Sequence, residues 1–135
     1  MEEQNQNLEE TAREEVTKAI KQDFASLHVL GRNLIGISFI AFGLSHFVYV
    51  SSLTYMVPYM LPFPALWVIL SGLAYIAAGV LLVTERYVYK TCMYLSGFLL
   101  LLTVLIYLKP FSLTSIFQNI GFIGGLLLIA DRYKE

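Results

Sequence analysis

The chain has 135 residues, which sets the expectation of a single domain, and 57% of them are hydrophobic while only 14% are charged. A soluble domain of this size carries nearer 25% charge, so this balance excludes an ordinary water-soluble fold. A net charge of −1, with no basic patch interleaved with aromatics, gives nothing for nucleic acid to bind.

Residues 1–12 (MEEQNQNLEETA) are acidic and amide-rich with one large apolar side chain, and read as disordered. From about Arg13 to Leu30 the pattern changes. Val16, Ile20, Phe24 and Leu27 recur at helical spacing, which predicts an amphipathic helix over 13–31. Its polar face mixes signs, so it lacks the Lys/Arg excess that draws helices to anionic lipid. Packing against the rest of the chain and holding a partner protein are both open to it.

Beyond Arg32 no charged side chain occurs until Glu85. Four stretches are free of charge, 33–50, 65–84, 91–108 and 111–130, with 18, 20, 18 and 20 residues. At a rise of about 1.5 Å per residue each spans roughly 27–30 Å, the thickness of a bilayer's hydrocarbon core. The expected fold class is therefore all-α: a polytopic membrane protein, four transmembrane helices in a bundle over 32–135, with the amphipathic helix before it. The first span is no signal peptide, because some 30 mostly acidic and amide-rich residues precede it. Eight of the nine Lys and Arg residues fall on the side shared by the N-terminal segment, the loop 85–90 and the tail; only Lys109 falls on the other. The positive-inside rule then places both termini in the cytoplasm.

The connector Ser51–Ala65 has no charge, three prolines (Pro58, Pro62, Pro64) and a run of Tyr55, Met56, Tyr59, Met60 and Phe63. So apolar a loop lies in the membrane interface as an aromatic belt, with Tyr49 and Trp67, or dips back over the mouth of the bundle. Lys109-Pro110 reads as the outer turn between the third and fourth spans, with Pro110 opening the last helix.

Chemistry has few places to sit. Cys92 is the sole cysteine, so a disulfide-shuttling pair is absent, and packing is its expected role. His28 and His46 fall on opposite sides of the membrane with no acid inside a span, which disfavours haem or zinc; no metal site is expected. The spans lack the acids or polar stripe of a transporter. The first two spans carry GISFIAFG (Gly36–Gly43) and GLAYIAAG (Gly72–Gly79), with Phe39 and Tyr75 in register. Glycines seven apart share a helix face to within about 20°, so Gly36, Gly43, Gly72 and Gly79 are expected to pack the two spans closely. Arg32, Gly36, Phe39, Gly43 and His46 share an arc of roughly 80° on the first helix; Gly72, Tyr75, Gly79 and Arg86 form a like stripe on the second. For His46 the alternatives are a bond to a backbone carbonyl or a tyrosine, ligand contact, and proton handling. For Arg32 they are snorkelling to the headgroups or a site. Gln118 and Asn119 are expected to hydrogen-bond between helices, and GFIGG (121–125) to pack closely.

Arg32 leading into GISFIAFGLSHF, the MVPYMLP run, and Trp67 before SGLAYIAAGVLL together resemble the DoxX family of small bacterial membrane proteins, over about Arg32 to Leu108. The resemblance implies a four-helix bundle in the inner membrane. Some members are subunits of a thiosulfate:quinone oxidoreductase and others associate with oxidative-stress proteins. The matching positions are Arg32, Gly43, His46, Pro58, Pro62 and Gly72, and a quinone-type headgroup would meet His46, Tyr75, Tyr59, Pro58, Pro62 and Arg32. Members commonly carry a glutamate where this chain has Tyr75, so a His–Glu proton pair is unavailable. Two functions are expected as alternatives: the membrane subunit of a quinone-linked redox system, or a non-catalytic scaffold recruiting a partner through 13–30. A protein partner or a homo-oligomer suits either, with no self-sufficient catalytic constellation in the chain.

Overall fold

The computed structural model describes residues 2–107 and 113–134. The chain is all-α: α1 (Glu2–Val48), α2 (Val50–Thr54), α3 (Pro64–Val83), α4 (Val88–Tyr107) and α5 (Leu113–Arg132). Four of these helices are long and apolar enough to cross a membrane. The Lys109-Pro110 turn lies outside the described residues, as do Leu108 and the first two residues of the fourth predicted span.

Two compact units divide the chain, residues 1–31 and 32–135. The first is helical from Glu2 onward, through the segment whose composition reads as disordered. Leu, Glu, Gln, Ala, Lys and Arg dominate this stretch, and neither Gly nor Pro occurs before Gly31. Val16, Ile20, Phe24 and Leu27 are exposed along its length.

The second unit holds the bundle. Its α1 and α3 run antiparallel, joined by the glycines on their facing sides. A Cβ on Gly79 would sit 2.5 Å from the Gly36 carbonyl oxygen, and one on Gly36 would sit 3.0 Å from the Gly79 oxygen. Seven residues along, a Cβ on Gly43 would come within 2.6 Å of the Gly72 oxygen, and the reverse distance is 3.0 Å. Backbone lies against backbone at both crossings, and neither leaves room for a methyl group. In lipid, apolar side chains gain little by leaving one hydrocarbon for another, so close approach of this kind is what holds helices together.

Between the two glycine crossings, Phe39 stacks on Tyr75 with ring centroids 5.8 Å apart. Phe122 from α5 meets Phe39 at 5.3 Å and Phe98 from α4 meets Tyr75 at 5.6 Å, so one aromatic group joins all four long helices. Leu82, Cys92, Leu95, Leu99, Leu126 and Ala130 complete the buried core. Many other large apolar side chains face outward, Leu34, Leu70, Leu100 and Leu128 among them. A water-soluble protein rarely tolerates such a surface, whereas lipid solvates it.

Polar side chains in the last span divide sharply. Asn119 donates through Nδ2 to Thr103 Oγ1 at 3.1 Å, joining α5 to α4. Gln118 is exposed and makes no such bond among the described residues. The GFIGG cluster also departs from expectation: a Cβ on Gly121 or Gly124 would meet nothing within 4 Å, and only Gly125 packs, against Ile35. Turned away from the bundle, the first two have no neighbour to approach.

These contacts lead to a direct comparison. Gly79→Ala and Gly43→Ala are expected to destabilise the bundle by about 1–3 kcal/mol each, the usual penalty of overpacking. Gly97→Ala, where a Cβ meets nothing within 4 Å, is expected to be neutral or stabilising. Unfolding in mixed detergent followed by circular dichroism measures all three, and equal effects would contradict the packing described.

Candidate functional site

Arg32 is placed at the start of the second unit, one turn before Gly36, and is only 3% exposed. It does not snorkel. Its Nη1 lies 2.6 Å from Glu85 Oε1 and donates to the Tyr133 hydroxyl at 2.7 Å. Tyr133 in turn donates to the same Glu85 oxygen at 2.8 Å, which closes a triangle. Nη2 reaches Asn33 Oδ1 at 3.3 Å, and the guanidinium lies 5.7 Å from the Tyr133 ring centroid. Only Nε is buried without a partner.

The local backbone explains why Glu85 is there and Arg86 is not. Helix α3 ends in paired reversed hydrogen bonds, Arg86 N–H to Leu81 O at 3.0 Å and Glu85 N–H to Leu82 O at 3.3 Å. That is the Schellman arrangement, whose left-handed position normally takes glycine. Glu85 occupies it with φ 59°. A non-glycine residue in this region costs about 1–2 kcal/mol. The ion pair with Arg32 and the hydrogen bond from Tyr133 hold the Glu85 side chain at this turn. Helical extrapolation had put Arg86 on the Gly72–Tyr75–Gly79 stripe; the helix stops at Val83, and Arg86 is exposed instead. Glu85 and Tyr133 carried no sequence signal of this role, because the turn and the return of α5 decide it.

At the other end of the same face, His46 is half-buried and its Nδ1 lies 2.8 Å from the Phe42 carbonyl. A carbonyl only accepts, so Nδ1 carries the hydrogen, and in the neutral ring Nε2 holds the lone pair. The ring packs edge-on to Phe42 at 4.9 Å and tilts against Tyr75 at 5.3 Å. Its Cβ would crowd a methyl on Gly72, at 2.9 Å. Tyr75 is 2% exposed and touches four rings: Phe39, Phe42, His46 and Phe98.

The proline loop arranges itself separately. Pro58 O accepts from Leu61 N–H at 3.0 Å, and Pro62 O accepts from the Trp67 indole at 3.0 Å. Phe63 adopts φ 54° before Pro64 opens α3. Tyr59 is 96% exposed and therefore walls no pocket, and Tyr55, Met60 and Phe63 also face outward. Of the residues anticipated for a ligand, the structure joins His46 to Tyr75, leaves Tyr59, Pro58 and Pro62 in the loop, and ties Arg32 into the polar triangle. Among the described residues no three His, Cys, Asp or Glu side chains gather as a metal site would need. No family model, curated protein or solved structure matches the chain.

The triangle has a defined pH window. Its hydrogen bond from Tyr133 and its contact with Arg32 hold the Glu85 carboxyl below its ordinary value of 4.5. Partial burial, then the bond to Glu85, raise the Tyr133 phenol above its ordinary 10.0. A lowered acid stabilises the fold above its unfolded value and loses that contribution as pH falls through its folded value; a raised phenol does so in reverse. The triangle is therefore strongest between these limits. Glu85→Gln is expected to lower the melting temperature by a few degrees at neutral pH and to abolish the acid limb of the difference from wild type below about pH 4.5. An unchanged acid limb in a pH series of melting curves would remove Glu85 from this role.

Proposed function

We propose that this chain is a DoxX-like integral membrane protein, the membrane subunit of a quinone-linked redox or oxidative-stress system in the bacterial inner membrane with both termini in the cytoplasm. The observation that carries the reading is the environment of His46. The imidazole is pinned through Nδ1 to the Phe42 carbonyl and flanked by the Phe42 and Tyr75 rings, while Nε2 has no protein partner among the described residues. A flat, lipophilic headgroup suits a site of this type: aromatic faces hold the ring and one fixed nitrogen meets an oxygen. Neutral Nε2 accepts from a quinol hydroxyl; protonated, it donates to a quinone carbonyl. The quinone would supply the electron chemistry, and these residues its position. Tyr75 in place of an acid makes the site one of binding and orientation, with proton acceptance left to His46 or water.

Extraction of lipophilic material from the purified full-length protein tests this. The wild type is expected to carry quinone, and His46→Ala to lose roughly tenfold of it, the worth of one buried hydrogen bond, while inserting normally. Protein that carries none, or a variant that retains it fully, would overturn the proposal.

A second reading is favoured by the exposed row Val16, Ile20, Phe24 and Leu27: a scaffold that recruits a partner through residues 13–30. Removing residues 1–30 is then expected to abolish co-purification of that partner while leaving the bundle folded, and an unchanged partner set would refute it.

A further inference from the structure

Gln118 stands five residues into α5, roughly 7–8 Å along the axis from the first described turn of a helix that crosses the apolar layer. Its amide has both donors and an acceptor, it is exposed, and it has no hydrogen-bond partner among the described residues. Within hydrocarbon no water replaces the missing bonds, so a primary amide left this way is costly. Its neighbour Asn119 avoids the cost by bonding Thr103. Gln118 faces a different direction, and no described residue of the chain offers it a partner.

Three features identify that partner as a second copy. The first is register. Thr114, Gln118, Gly121 and Leu128, all exposed, follow at steps of four, three and seven residues and so fall within roughly 80° of one another on the helix, while Gly125 in the same arc packs on Ile35. Such spacing is the seam of a left-handed helix pair, and a polar amide at one of its positions selects like partners in like register. The second is room. A Cβ on Gly121 meets nothing within 4 Å in its own chain, so the backbone is open to close approach one turn below Gln118. The third is symmetry. Two copies inserted the same way round are related by a twofold axis along the membrane normal, which brings identical residues to identical depth. A primary amide is self-complementary: each carboxamide donates to and accepts from its counterpart.

We infer that the protein associates with a second copy of itself through the outward face of α5, with Gln118 bonded to the partner's Gln118 across the axis. The twofold pair satisfies both amides and leaves neither facing lipid. This interface is distinct from His46 and from residues 13–30, and does not depend on either functional reading.

Cysteine cross-linking in membranes, on the full-length chain, tests the seam. Gln118→Cys and Gly121→Cys are expected to form disulfide-linked dimers on mild oxidation. Ile120→Cys and Leu127→Cys, also exposed but off the seam, are expected to form several-fold less, and the native Cys92, buried in the bundle, serves as the blank. Resonance energy transfer between labelled copies in vesicles gives the second measurement. Gln118→Leu is expected to weaken association roughly tenfold, the worth of an interhelical hydrogen bond in lipid, and Gln118→Asn to retain most of it. Because Gln118 makes no hydrogen bond among the described residues, the melting temperature of the diluted monomer is expected to stay the same in both variants. Equal cross-linking on and off the seam, transfer indifferent to Gln118→Leu, or cross-linked products containing another protein instead of a dimer would each overturn the inference.

Discussion

The close contact of α1 with α3 at two pairs of glycines is the constraint on which the bundle depends. In lipid no hydrophobic force gathers helices, so their association rests on how nearly the backbones can approach. Gly36 against Gly79 and Gly43 against Gly72 bring carbonyl oxygens to where a methyl group would collide. Once these crossings are made, the register of everything else on the two helices follows. Phe39 falls beside Tyr75, His46 falls beside Gly72, and Arg32 comes level with the end of α3. The polar triangle and the aromatic group are thus two ends of a single antiparallel pairing.

That geometry separates two kinds of polar residue at the ends of the same face. Arg32 is buried, has a carboxylate within 2.6 Å and a phenol within 2.7 Å, and is committed to tying α1 to the α3 turn and to the end of α5. A strained left-handed residue at Glu85 is tolerated because its side chain completes this tie. His46 is held by one nitrogen only and keeps the other available. A buried cation paired with a carboxylate acts to join elements, whereas a ring held by one nitrogen keeps its orientation and leaves the other nitrogen for a further bond. The proposed function accordingly draws on His46 and not on Arg32.

Outward-facing polarity raises the complementary point. The surface of the spans is apolar almost throughout, as a lipid-facing surface must be, and Gln118 is an exposed amide with no partner among the described residues. Asn119 and Gln118 are adjacent and chemically alike, yet about 100° of helical rotation gives one a partner in α4 and leaves the other with none among the described residues. The same rotation separates Gly125, where an added Cβ meets Ile35, from Gly124, where it meets nothing within 4 Å.

Much of this was legible in residue order alone. Charge-free stretches of the right length define the long apolar helices, and paired glycines seven apart on Gly36–Gly43 and Gly72–Gly79 identify the faces that meet, because periodicity and side-chain size are local properties. The helix over residues 2–12 was not legible: an acidic, amide-rich composition suits disorder and helix alike. Only the tertiary structure decided what the ionisable groups do. Glu85 reaches Arg32 because α3 stops at Val83 and the chain reverses through a left-handed residue. Tyr133 joins them because α5 returns to the same end of the bundle. Such contacts join residues 32, 85 and 133, and no local pattern encodes a meeting at that separation. Which side of a helix is covered depends on where its neighbours lie, and so the outward turn of Gln118 was likewise settled by packing.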